Sequence, residues 1–167
     1  PFGQEIELLS EDVSFVGDAE MDQFGAKFDL IDDHQGGISL LVGSHLAGSD
    51  EDGLGMAYLI SDFSSGGSVS AEADVILFGG YRDYLGYHVQ NLDDLNGDGL
   101  GDFYLNAYRH ESSSGVANAG SNFIFHHIPT SAETMYDADL RVDGDVAIAQ
   151  MGTIGTNVGD IDGDGYA

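Results

Sequence analysis

The feature that most restricts the fold of this chain is an internal repeat. An apolar residue and a glycine are followed, nine residues after the apolar position, by an aspartate, and the copies start 61 and 66 residues apart. A strand-like stretch ending in a glycine precedes each copy. The copies are Phe24-Gly25 with Asp33, Leu85-Gly86 with Asp94, and Met151-Gly152 with Asp160, and the preceding glycines are Gly17, Gly79 and Gly144. Because both halves recur in the same order, we interpret the chain as successive copies of one structural unit.

Within each copy, apolar and polar residues alternate in short runs, which is the pattern of β-strands. No segment keeps a helical period, and Thr130, with Glu133 three residues later, marks a single helical turn or a plain loop. The pattern predicts four strands per copy. They are Ala26–Ile31, Ile38–Val42, Met56–Ile60 and Val75–Phe78 in the first copy, and Tyr87–Leu92, Phe103–Tyr108, Asn122–His127 and Ala138–Val142 in the second.

Four antiparallel strands repeated at this period predict the blades of a β-propeller, in which each small sheet packs against its neighbours. The period is longer than the about 40 to 50 residues of WD40 and kelch units. We expect the end of a preceding blade in residues 1–23, blades in 24–84 and 85–150, and the start of a third in 151–167. Two blades and a part cannot close a ring, so we expect a fragment of a larger propeller, a ring completed by several copies, or pairing with another chain.

The loop of the second copy has the residue types of a calcium site. Ca²⁺ prefers six to eight oxygen ligands, and alternating oxygen-bearing side chains on a curled loop can surround it. The glycine at the sixth position allows the sharp turn, and the seventh position contributes its backbone carbonyl. The predicted ligands are Asp94, Asn96, Asp98, the carbonyl of Leu100, and Asp102.

The third copy repeats this loop, whereas the first copy has lost it. Its predicted ligands are Asp160, Asp162, Asp164 and the carbonyl of Tyr166, and its ninth position falls just beyond Ala167. In the first copy, Asp33 is followed by Gln35 and glycines, so we expect no metal there. An EF-hand would require a glutamate at the twelfth position and flanking helices, but Leu105 stands there within a predicted strand. An acidic surface turn without metal is the other interpretation of these loops.

These periods resemble FG-GAP repeats, the blades of the integrin α-subunit β-propeller and of many bacterial surface proteins. The resemblance covers nearly the whole chain and rests on the pairs FG, LG and MG and on the loops LNGDGLGD and IDGDGYA. It implies Ca²⁺ between strands of a blade, held by the loop residues named above. It also implies that the loops Gly43–Leu54 and Arg109–Gly120 help to form a ligand-binding face. There, Asp50, Glu51 and Asp52 could bind a loose cation or only be solvated, and Arg109 and His110 could contact a carboxylate or a sugar or be structural.

Composition excludes several classes of function. The chain has 4 Lys and Arg against 30 Asp and Glu, a formal net charge of −26 at pH 7. Nucleic acids and anionic membrane surfaces are bound by clustered basic residues, and the four cations here stand singly, so neither is an expected partner. No apolar run is long enough to span a bilayer. The absence of cysteine excludes disulfides and thiolate metal sites.

Nothing in the sequence predicts catalysis. Motifs for a serine nucleophile, a zinc protease or a phosphate-binding loop are absent. His126 and His127 are adjacent on a predicted strand, point to opposite faces, and are discounted as metal ligands. We expect a calcium-binding extracellular or cell-surface module, not an enzyme, that binds a protein or glycan ligand or assembles with further copies or blades of itself. The alternative is a non-catalytic propeller region of a larger secreted hydrolase or lyase.

Overall fold

The fold is all-β, as the alternating sequence predicts. A computed structural model describes residues 13–32, 37–48 and 53–163. In these ranges, no helix is long and apolar enough to cross a membrane. Two short helical segments are present, α1 (Val69–Glu72) and a 3-10 turn (Met135–Asp137). The strands are β1 (Phe15–Val16), β2 (Lys27–Asp32), β3 (Ile38–Ser44), β4 (Met56–Ile60), β5 (Gly67–Ser68), β6 (Val75–Phe78), β7 (Leu85–Asp93), β8 (Asp102–Ala107), β9 (Ser121–Phe125), β10 (Glu133–Thr134) and β11 (Leu140–Asp143).

Eight strands form two antiparallel meanders of four. The first sheet contains β6-β4-β3-β2 in that order, and the second contains β11-β9-β8-β7. These eight strands correspond to the eight predicted ones, with boundaries displaced by a few residues. None of the described sheets closes on itself.

The remaining strands, β1, β5 and β10, have two residues each and were not predicted. β10 adds to the first sheet, parallel to β6, although it belongs to a loop of the second meander. β1 pairs with β5 in a separate parallel ribbon. The helical turn expected from Thr130 begins later: Thr134 is its N-cap, and its backbone N–H and hydroxyl both donate to Asp137 at 2.8 Å. A pairing of two residues carries no periodic signal, so only the tertiary structure selects it.

The main core lies between the two meanders. Alternate residues of each strand point inward, so Leu41 and Leu59 of the first sheet belong to one buried cluster with Phe103 and Phe125 of the second. The rings of Phe103 and Phe125 are stacked with centroids 5.1 Å apart. All six residues of β8 are buried. Both faces of the second sheet are therefore covered at this strand, one by the first sheet and the other by residues that follow Gln150.

The repeat is visible in the backbone. In every copy, three alternate residues have positive φ. They are the third and the first residue before the apolar-glycine pair, neither of which is a glycine, and the glycine of the pair itself. A left-handed conformation is costly for residues other than glycine, so its recurrence at equivalent positions shows that the same turn is built three times. The residues are Met21, Gln23 and Gly25, then Arg82, Tyr84 and Gly86, then Ile148, Gln150 and Gly152.

Equivalent hydrogen bonds fix the two segments that leave the meanders. After the last strand of the first sheet, the Gly79 N–H donates to the Gly55 carbonyl at 3.0 Å, and after the second sheet the Gly144 N–H donates to the Gly120 carbonyl at 2.8 Å. The apolar residues of the next pairs form equivalent backbone hydrogen bonds. The Leu85 N–H donates to the Leu54 carbonyl at 3.1 Å, and the Met151 N–H donates to the Ala119 carbonyl at 2.8 Å. Residues from Met151 onward are thus anchored to the second sheet as β7 is anchored to the first.

Candidate metal centre

The predicted calcium loop of the second copy connects β7 to β8 and curls around one carboxylate. Asp94 Oδ1 accepts the backbone N–H of Gly97 at 2.7 Å and of Asp98 at 3.1 Å, and its Oδ2 accepts that of Gly99 at 2.9 Å. Gly97 and Gly99 have φ of 78° and 85°, which glycine adopts without steric cost. The first predicted ligand therefore organises the loop from within.

The next two predicted ligands repeat one local motif. The Asn96 side-chain oxygen accepts the Asp98 N–H at 2.9 Å, and Asp98 Oδ1 accepts the Leu100 N–H at 2.8 Å. The Asn96 amide also donates to Asp98 Oδ2 at 2.9 Å. Both residues are exposed, and each turns the backbone by accepting the N–H two positions further on. Leu100 lies at the loop's end with a partly exposed side chain.

Asp102, the last predicted ligand, is fully buried, with an exposed fraction of 0%. Its Oδ2 accepts the backbone N–H of Leu95 at 2.7 Å and of Asn96 at 3.2 Å, which joins the two ends of the loop. Its Oδ1 is buried with no hydrogen-bond partner. A buried carboxylate oxygen without a partner is unfavourable by about 1 to 3 kcal/mol or more, which a bound cation would relieve.

His126 approaches this carboxylate from β9's end, a relationship that sequence spacing does not signal. Its Nδ1 lies 3.1 Å from Asp102 Oδ2. His127 is directed elsewhere, with Nδ1 at 3.2 Å from Asp139 Oδ2. Strand β9 ends at Phe125, so both histidines follow the strand, although the sequence placed them within it. The two imidazoles therefore face different carboxylates, Asp102 and Asp139.

The described part of the third loop begins in the same way as the second. Asp160 Oδ1 accepts the Gly163 N–H at 2.6 Å, the counterpart of the bond from Gly97 to Asp94. The preceding turn also recurs: Asn157 accepts the Gly159 N–H at 2.7 Å as Asn91 accepts the Asp93 N–H at 2.9 Å. Asp162 is exposed. The predicted ligands Asp164 and Tyr166 lie outside the described residues, as does Asp33 of the first copy.

The donor set fits a hard cation, although the side chains do not converge as a finished cage. Within residues 13–32, 37–48 and 53–163, no three His, Asp or Glu side chains are grouped closely enough to hold a metal ion. All predicted donors of the second loop are oxygens, as Ca²⁺ prefers. A carboxylate oxygen that accepts one N–H, as Asp94 Oδ2 does, keeps a second lone pair for a metal. Coordination would require Asn96 and Asp98 to exchange their mutual hydrogen bond for the ion.

The second predicted functional region, the loops after β3 and β8, is only partly described. Asp50, Glu51 and Asp52 lie outside the described residues. His110 is buried, with its Nδ1 at 3.0 Å from Asp83 Oδ1 and its Nε2 at 3.4 Å from Arg141, so it occupies a structural position. Arg109 is exposed beside tyrosine rings.

Neither a protein-family model nor a curated protein matches this chain.

Proposed function

We propose that this chain is part of a calcium-stabilised β-propeller of the FG-GAP type, which acts outside the cell as a non-catalytic binding or assembly module. Its partner is a protein, a glycan or another copy of the same unit. In this proposal the two meanders are neighbouring blades. The equivalent anchoring of β7 and of the residues after Met151 supports a continuing series of such sheets.

The observation that carries the proposal is the loop from Asp94 to Asp102. Its oxygens alternate around a backbone curled on Asp94, and its final carboxylate is fully buried with Oδ1 unpartnered. Burial of a charge is tolerated when it is paired or binds a metal. A Ca²⁺ ion would supply the positive charge that three acidic side chains in one loop lack.

The role of the ion in this proposal is structural. The loop joins the first two strands of a sheet, and an ion bound only by the folded loop stabilises the folded state. At a free concentration of 100 times Kd, binding adds about 2.7 kcal/mol to the free energy of unfolding. Asp94, Asn96, Asp98, Asp102 and the carbonyl of Leu100 would hold the ion in the second copy.

The charge of the chain supports an extracellular setting. The chain has a net charge of −26 on 167 residues, so its acidic side chains repel one another, and bound cations and salt reduce that repulsion. Calcium sites of extracellular modules bind in the range of about 10⁻⁴ to 10⁻³ M, and such concentrations are maintained outside cells.

Thermal unfolding in EDTA, in Mg²⁺ and in a Ca²⁺ series tests this proposal. We expect Tm to rise selectively with Ca²⁺, and Asp98→Ala to shift the rise to higher Ca²⁺ concentrations. Asp145→Ala, at an exposed aspartate outside the loops, is the matched control and should follow the wild type. Equal Tm values in EDTA and Ca²⁺ would reject the calcium site and leave the loops as acidic turns.

A further inference from the structure

A cluster of aromatic side chains lies at the end of the sheets from which the loops after β3 and β8 emerge. We call Tyr84, Tyr87 and Tyr108 the tyrosine platform. The ring centroids of Tyr87 and Tyr108 are 4.5 Å apart and those of Tyr84 and Tyr108 are 5.4 Å apart. His45 extends the platform, with its ring 5.0 Å from that of Tyr87. All four side chains are partly exposed, so their contacts leave ring surface accessible to a ligand.

Arg109 is held on this platform by cation–π contacts. Its guanidinium carbon lies 4.9 Å from the centroid of Tyr84 and 5.4 Å from that of Tyr108. Among the described residues it forms no ion pair, although the chain contains 30 acidic residues. A side-chain hydrogen bond also joins Arg109 to Tyr108, which uses only part of the five N–H donors of a guanidinium. Arg109 is therefore an exposed, oriented donor beside aromatic surface.

The surface beside the platform is concave, because Tyr84 lines a cavity of about 440 Å³. Among the described residues, Glu20, Met21, Leu46 and Gly53 also line it. The volume falls in the range of about 300 to 1,000 Å³ that small-ligand sites occupy. The site thus combines apolar walls, an acceptor carboxylate at Glu20 and the Tyr84 ring, with Arg109 on the platform beside it.

Burial shifts the pKa values of two side chains on this surface, Tyr108 and His45, towards their neutral forms. Burial raises the pKa of the Tyr108 hydroxyl, an effect that the nearby Arg109 charge opposes. Burial also lowers the pKa of His45, and its Nδ1 is buried with no hydrogen-bond partner. The neutral forms of the Tyr108 hydroxyl and the His45 imidazole are therefore favoured.

The chemistry of the platform selects among ligand classes. Anions are repelled by the net charge of −26. A cation on these rings would be repelled by Arg109, whose guanidinium carbon lies 4.9 Å from the Tyr84 ring centroid and 5.4 Å from that of Tyr108. A purely apolar ligand would leave Arg109 and Glu20 without partners as it displaced their water. A neutral polyhydroxylated ring satisfies all of them, because its C–H face packs on tyrosine while its hydroxyls accept from Arg109 and donate to Glu20.

We propose that the tyrosine platform, with Arg109 and the adjoining Glu20 cavity, is a binding site for a neutral saccharide. This inference rests on the binding role proposed above and names its ligand class, but it uses no residue of the calcium loops. The site draws residues from the turn before β7, from β7 itself and from the loops after β3 and β8. It therefore depends on the packing of the two sheets against each other.

Isothermal titration calorimetry in saturating Ca²⁺ tests the site with neutral pentasaccharides of glucose, mannose, galactose and N-acetylglucosamine. Oligogalacturonate and pentalysine serve as the anionic and cationic probes. We expect at least one neutral pentasaccharide to bind more tightly than both charged probes. Arg109→Gln and Tyr108→Ala should each weaken that binding at least tenfold, and Tyr108→Phe should retain most of it because the ring remains.

The chain offers a matched control. Arg82 lies 5.2 Å from the Tyr81 ring centroid in a separate exposed pair, so Arg82→Gln and Tyr81→Ala should bind the saccharide as the wild type does. Absence of neutral saccharide binding, preference for a charged probe, or equal loss in the control variants would overturn the proposal. Thermal unfolding in EDTA and Ca²⁺ is measured on the same samples. A Ca²⁺-dependent Tm without saccharide binding would reject only the ligand class, whereas an unchanged Tm would reject the calcium site.

Discussion

The carboxylate of Asp102 accepts the backbone N–H of Leu95 at 2.7 Å, so the last predicted ligand of the calcium loop also closes the loop's beginning. Asp102 is the first residue of β8 and is fully buried, whereas Leu95 follows the end of β7. One side chain therefore fixes the connection between two strands and presents an unpartnered oxygen, Oδ1, beside it. Stability and metal binding are expected to be coupled at this residue.

Substitution of Asp102 should separate these two effects. In EDTA, Asp102→Ala should lower the free energy of unfolding by about 2 to 3 kcal/mol, because the N–H groups of Leu95 and Asn96 lose their acceptor. Asp102→Asn keeps an acceptor oxygen and should lose less. Both variants should lose most of the stabilisation by Ca²⁺. Urea unfolding of each variant and of the wild type, in EDTA and in Ca²⁺, measures these free energies. If Ca²⁺ stabilised Asp102→Asn as much as the wild type, Asp102 would not be a ligand.

Gly43 lies where the two sheets approach each other closely, so this position should not tolerate a side chain. A Cβ there would lie 2.1 Å from the backbone oxygen of Gly86, which cannot rotate away. Gly43→Ala should therefore cost about 3 kcal/mol, at the upper end for overpacking. Gly25→Ala is the comparison, because its φ is 78° but nothing lies within 4 Å of its Cβ position. It should cost about 1 kcal/mol from the backbone alone. Urea unfolding that gave equal costs would show that the sheets separate locally to admit the methyl group.

Asp143 should contribute to stability only above acidic pH. Burial would raise the pKa of its carboxyl, but hydrogen bonds from Ser113 and Ser121 and from the Arg141 guanidinium hold that pKa well below its usual value. A group whose pKa is lower in the folded state stabilises the protein above its unfolded pKa of about 3.9 and loses this effect as the pH falls through the folded pKa. The free energy of unfolding of the wild type should therefore decrease when the pH is lowered beyond about 4.

Asp143→Asn tests this dependence. The variant should be less stable than the wild type at pH 7, and the difference between the two should shrink as the pH is lowered from 5 to 2. Urea unfolding across this range measures the difference, with Asp145→Asn as an exposed neighbouring control. A difference that stayed constant with pH would mean that the ionised form of Asp143 is not favoured by folding.

Asn106 should anchor the residues that follow the second meander. Its buried amide donates to the Met151 carbonyl at 2.8 Å and to Asn122 at 2.9 Å. Asn106→Ala should lower the free energy of unfolding by about 1 to 3 kcal/mol. It should also speed amide hydrogen exchange in residues 148–159 more than in β7. Thr156→Ala, at an exposed site in the same segment, should change neither measurement. Uniform acceleration throughout the chain would mean that Asn106 supports the whole fold instead of this segment.

The strands were predictable because their signal is local. Alternation within β3, for example, places Leu41 toward the core, and neighbouring residues alone establish that pattern. The loop around Asp94 was predictable for the same reason, since its hydrogen bonds join residues three to five positions apart. By contrast, β10 pairs with β6 over more than fifty residues, and two residues contain no periodic pattern that could have signalled it.

The sequence by itself determined the repeat, the two sets of four strands and the acidic loops, because alternation, turn-forming glycines and alternate oxygen side chains act within a few residues. Only the tertiary structure placed His126 beside Asp102 and brought Gly86 against Gly43. It also assembled Tyr84, Tyr108 and Arg109 into one platform. These contacts depend on how two sheets pack face to face, and that packing is decided by the summed burial of many side chains from distant parts of the chain.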